Sequence, residues 1–162
     1  MDLPSYSIFV GTGATALVDL WTLLRRRLFR MPLPDFGHLG RWVGHIPCGR
    51  FRHDAIAAAA PIRGETPIGW IAHYLIGISF AFMLLAVFGH EWMQRPTPGP
   101  ALIVGIGTVV APWFIMQPAM GAGIAASRTP RPAMARLHSL LTHAVFGVGL
   151  YLSGCVVSRA IG

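Results

Sequence analysis

Four polar residues interrupt long apolar stretches of this 162-residue chain: Asp19, His73, Gln117 and His143. Ionisable groups are expensive inside a bilayer, so in such surroundings they are read first as functional. Asp19 and the two His could exchange protons or bind a cation. As metal ligands, Asp19, His73 and His143 could hold a divalent ion with positions left open. Two opposed imidazoles, His73 and His143, could instead ligate a haem iron. Gln117 could orient a ligand. The competing reading is structural, with the two His as interhelical hydrogen-bond partners and Asp19 paired to an Arg such as Arg26. Spacing along the chain does not decide between them, because the four residues come from four separate segments.

Two polar constellations lie outside those segments. Gly40-Arg-Trp-Val-Gly-His45-Ile-Pro-Cys-Gly49-Arg-Phe-Arg-His53-Asp54 concentrates His, Arg and aromatic residues. Ser127-Arg128-Thr-Pro-Arg131-Pro is compact and basic. Arg128 and Arg131 suit a lipid phosphate or another anionic ligand, and interfacial Arg and Trp anchoring is the simpler account of both segments. A phosphate-binding Gly loop, HExxH, GxSxG and CxxCH are all missing from the sequence. The residues therefore weigh against an enzyme without excluding one.

The elements that must position these groups follow from composition. Hydrophobic residues make up 54% and charged residues 12%, about half the charge usual in a soluble domain. Four apolar segments, about 5–24, 67–88, 101–121 and 139–157, each approach the roughly 20 residues a spanning helix needs. The expectation is an all-α polytopic membrane protein: four transmembrane helices in a bundle, one membrane domain over 1–162, and a loop at 25–66. In that loop the Ala-rich stretch Asp54 to Ala60 is expected to form a short helix. The first segment lacks a basic region before it and is not expected to be a cleaved signal peptide.

All thirteen basic residues are Arg. Eleven fall between the first two segments or between the last two, which by the positive-inside rule makes those loops cytoplasmic and both termini periplasmic. The expected location is the bacterial inner membrane. Arg at the ends of apolar segments, without a basic soluble surface, argues against nucleic acid. Cys48 and Cys155 then lie on opposite sides of the membrane and do not pair.

The motifs Gly11-Thr-Gly13 and Gly105-Ile-Gly107, with His73…Gly77 and His143…Gly147, suggest a parallel 2+2 repeat. Counted from the expected helix ends at 1.5 Å per residue, the four polar residues form a layer roughly 6–9 Å inside the cytoplasmic boundary. Stripes such as Gly69, His73, Gly77 and Ala81, or Gly11, Thr15, Asp19 and Thr22, would turn that layer inward. Pro112 and Pro118 are expected to kink the third helix.

The segments Gly11 to Trp21, Gly40 to His53, Trp70 to Tyr74, Met116 to Pro130 and His143 to Gly147 resemble, in order, the bacterial membrane family named domain of unknown function 2938. The resemblance implies a small polytopic membrane protein and carries over no catalytic residue. The readings left open are a binding or transport-type protein that works as a homo-oligomer or with a membrane partner, a metal- or haem-dependent enzyme, and a structural subunit.

Overall fold

The computed structural model describes residues 1–161. Its long helices are α1 (Leu3–Phe29), α3 (Glu65–Gln94) and α6 (Pro132–Ile161), with shorter α2 (Phe36–His45), α4 (Pro98–Gly107) and the single turn α5 (Gln117–Ala119). A π-helical turn, Pro112–Met116, joins α4 to α5. No strand occurs among the described residues. Four stretches are long and apolar enough to cross a membrane: α1, α3, the run Pro98–Ala119, and α6. The fold is all-α, with four membrane-length helices.

α1 extends beyond its apolar centre at both ends, and a polar group caps its start. Asp2 accepts from the Ser5 N–H at 3.1 Å and starts α1. Arg25, Arg26 and Arg27 still belong to α1, which stops at Arg30 in the left-handed region. α3 bends at Gly89, whose φ of 74° is costly for any other residue.

Contacts divide the chain into two compact units. The first comprises Met1–Leu33, Tyr74–Thr108 and Leu140–Gly162. Its core is Tyr6, Val10, Ala14 and Val18 of α1, Ala81, Leu84, Leu85, Trp92 and Met93 of α3, Ala101 and Val104 of α4, and Phe146 and Leu150 of α6. Lipid tails are as apolar as these side chains, so close packing rather than water exclusion holds such helices together. A Cβ on Gly11 would lie 2.5 Å from the Ile78 Cα, and a Cβ on Gly105 would collide with the Gly147 backbone. Only glycine allows either approach. Buried Tyr6 adds a polar tie, its hydroxyl lying 3.2 Å from the Met93 carbonyl and 3.1 Å from that of Gly154.

The second unit comprises Pro34–His73 and Val109–Ser139. Its core is Leu39, Trp42, Ile56 and Ala119, flanked by Phe36, Ala72, Met116 and Met120. The loop helix expected over the Ala-rich stretch is instead α2. Asp35 caps α2 through the Gly37 and His38 N–H groups, and buried Leu39 and Trp42 give it an apolar face. The Ala run lacks both a cap and such a face, and forms only a 3-10 turn, Ile56–Ala58. Arg41 fastens this unit: its guanidinium grips both Glu65 carboxylate oxygens at 2.9 and 2.8 Å. It also donates to the carbonyls of Ile56, Ala57 and Ala59. Glu65 raises the Arg41 pKa by accepting these bonds.

Candidate functional site

The predicted residues divide between the units: Asp19 and His143 in the first, His73, Gln117, Arg128 and Arg131 in the second. Counted from the observed helix ends at 1.5 Å per residue, Asp19 lies about 15 Å in, His73 about 12 Å, His143 about 16 Å and Gln117 about 3 Å. The helices outrun their apolar cores, so their ends define no common depth. The inward stripes do form: Gly11, Thr15 and Thr22 are buried around half-buried Asp19, and Gly69, Gly77 and Ala81 around half-buried His73.

In the first unit Asp19 accepts from the Tyr74 hydroxyl at 2.9 Å. His143 Nδ1 lies 3.0 Å from Thr108 Oγ1 and 3.2 Å from the Gly105 carbonyl. Thr108 itself donates to that carbonyl at 2.7 Å, so both neighbours of Nδ1 are acceptors toward it. Nδ1 therefore carries a proton and donates to this pair. This network sits where α4 ends, one turn before Pro112, and it satisfies polar groups at the interruption.

In the second unit the His73 ring packs 4.7 Å from Phe36 and 6.0 Å from Trp70. His45 Nδ1 and His53 Nε2 lie within hydrogen-bond distance, 2.8 Å apart. Arg128 and Arg131 are exposed, while Arg136 donates to the Ala125 carbonyl at 2.9 Å. Among the described residues, no group of three or more His, Cys, Asp or Glu is placed to hold a metal ion. Cys48 and Cys155 are free.

The strongest chemical signal in this unit is at the π-helical turn. The Gln117 amide reaches Ser139 Oγ only at 3.5 Å through its nitrogen. Its oxygen, and the indole N–H of Trp113, are solvent-inaccessible with no hydrogen-bond partner among the described residues. Four residues apart, the two side chains share one helix face. A donor and an acceptor thus lie on one face, each unmet by the other, where Pro112 and Pro118 withhold their own N–H groups. Sequence reading singled out Gln117 and missed Trp113, Ser139, Tyr74 and Thr108. The first was legible as the residue four before Gln117, whereas the others are brought in by tertiary packing.

No curated protein and no solved structure matches the chain. A family model described as "Protein of unknown function (DUF2938)" matches residues 8–157 of the 162, and the chain belongs to that family.

Proposed function

We propose that this membrane protein binds a small polar ligand at the interruption of its third membrane-length helix, as a binding or transport-type protein. One observation carries the reading: the inaccessible Trp113 N–H and Gln117 carbonyl, neither with a hydrogen-bond partner among the described residues. Leaving a buried polar group unpaired costs about 1–3 kcal/mol, and such groups recur where a ligand completes them. π-helical turns and broken membrane helices concentrate at binding sites for the same reason. A fitting ligand presents an acceptor and a donor together, as an amide or a hydroxyl does, with Ser139 available as a further contact.

In this reading Asp19, His73 and His143 position helices around their own partners. Arg128 and Arg131, exposed beside the site's connecting loop, draw in anionic groups. The protein sits in the bacterial inner membrane with both termini periplasmic, a placement supported by the Arg distribution. A parallel 2+2 duplication underlies the fold, supported by the equivalent contacts of Gly11 with Gly77 and of Gly105 with Gly147. Four helices make a thin pathway, so transport would require a second copy or a membrane partner.

The test is thermal unfolding of detergent-purified protein against a panel of amides, amino acids and polyols. One class should raise the melting temperature of the wild type and fail to do so with Gln117→Leu or Trp113→Phe. Without ligand, Gln117→Leu should be at least as stable as wild type, because it removes an unpaired acceptor. A loss of about 1–3 kcal/mol in Gln117→Leu would instead make the amide a structural partner and end the proposal.

A further inference from the structure

Of the four Arg that close α1, three are exposed: Arg26, Arg27 and Arg30. Arg25 is turned inward. Seven residues make almost two whole turns, so Gly11, Val18 and Arg25 lie on one line of the helix, with Ala14 and Trp21 on the adjoining one. Gly11, Ala14 and Val18 are all buried along that face. Further along the same face a guanidinium and an indole stand where the pattern calls for apolar side chains. The Arg25 guanidinium carbon stands 5.8 Å from the centre of the Trp21 ring, which shields one side of the charge.

Each group offers one donor that nothing among the described residues accepts. Trp21 Nε1 and Arg25 Nε are solvent-inaccessible with no hydrogen-bond partner among the described residues. Asp19, the nearest carboxylate in sequence, sits two residues before Trp21, on the opposite side of the helix, and accepts from Tyr74. Two inaccessible N–H groups and a fixed positive charge select an anion over a neutral acceptor. A guanidinium matches the oxygens of a phosphate or carboxylate in plane, and the indole N–H supplies a further donor.

We propose that Trp21 and Arg25 form an oxyanion-binding site at the end of α1, separate in composition from the Trp113–Gln117 pair. The ligand is a phosphate or carboxylate group, carried by an anionic lipid or free in solution.

Melting temperatures of the detergent-purified full chain decide it. Inorganic phosphate, acetate, short-chain phosphatidylglycerol and short-chain phosphatidylcholine are titrated against sodium chloride at matched ionic strength. A rise with phosphatidylglycerol alone identifies a lipid headgroup, and a rise with phosphate or acetate identifies a free anion. In either case Arg25→Gln should weaken the apparent affinity at least tenfold and Trp21→Phe severalfold, while Arg26→Gln and Arg27→Gln titrate like wild type. A wild type that responds to no oxyanion probe beyond chloride overturns the site. So does an Arg25→Gln protein that titrates unchanged. Should Arg25→Gln not purify, Trp21→Phe decides instead, since it keeps the charge and most of the ring, and an unaltered response there would overturn the site.

Discussion

At Ala125 the backbone takes φ 47° and ψ 46°, and Ala126 follows with φ 59°. A Cβ in the left-handed region crowds the neighbouring carbonyl, and two such residues in succession are unusual outside glycine. The Arg136 guanidinium holds the Ala125 carbonyl in this turn. Ala125→Gly should therefore stabilise the protein by about 1 kcal/mol, less the entropy glycine adds to the unfolded chain. Thermal unfolding in detergent reads this directly, and a destabilised Ala125→Gly protein would mean that the turn is not strained. Arg41 teaches a related lesson. Its charge looks like one more topology signal, yet it spans Glu65 and three carbonyls.

Among the elements, the third membrane-length helix departs furthest from regularity. α4 stops at Gly107, and the chain resumes through the π-helical turn before α5. Proline accounts for the missing N–H groups. The way the break is tolerated depends on Thr108 and His143, which together cover the Gly105 carbonyl. Thr108→Val should cost about 1 kcal/mol, since His143 keeps the carbonyl as its acceptor. A double-mutant cycle of Thr108→Val with His143→Leu should return a coupling of roughly 0.5–1.5 kcal/mol. Additive losses would show that the two side chains act independently. α2 carries the complementary message: a cap at Asp35 and a buried apolar face outweigh the helix propensity of the alanines that follow.

For the whole molecule, the membrane-length helices expose many apolar side chains. Val87 and Ile103 are each 67% exposed and Val156 69%, as suits side chains that face lipid. The proposed orientation across that bilayer rests on the Arg asymmetry, and exposed Cys48 offers a reporter in the loop between α2 and α3. In a Cys155→Ser background, a membrane-impermeant maleimide should leave Cys48 unmodified in intact cells and label it after permeabilisation. Labelling in intact cells would reverse the proposed topology.

Composition and apolar run length alone determined the all-α class and the four membrane-length helices, because a bilayer demands about 20 apolar residues per span and satisfied backbone groups throughout. The buried glycine stripes were legible for a similar reason: they repeat at helical spacing. Helix ends were not, since capping by Asp2 and Asp35 depends on local geometry that hydropathy does not register. Nor were side-chain partners. Asp19 finds Tyr74, 55 residues away, and His143 finds Thr108, 35 residues away. Sequence spacing identifies a helix face, and only packing within each unit decides which donors and acceptors on that face are met and which are left open. Trp113 Nε1, Gln117 Oε1, Trp21 Nε1 and Arg25 Nε are left open among the described residues.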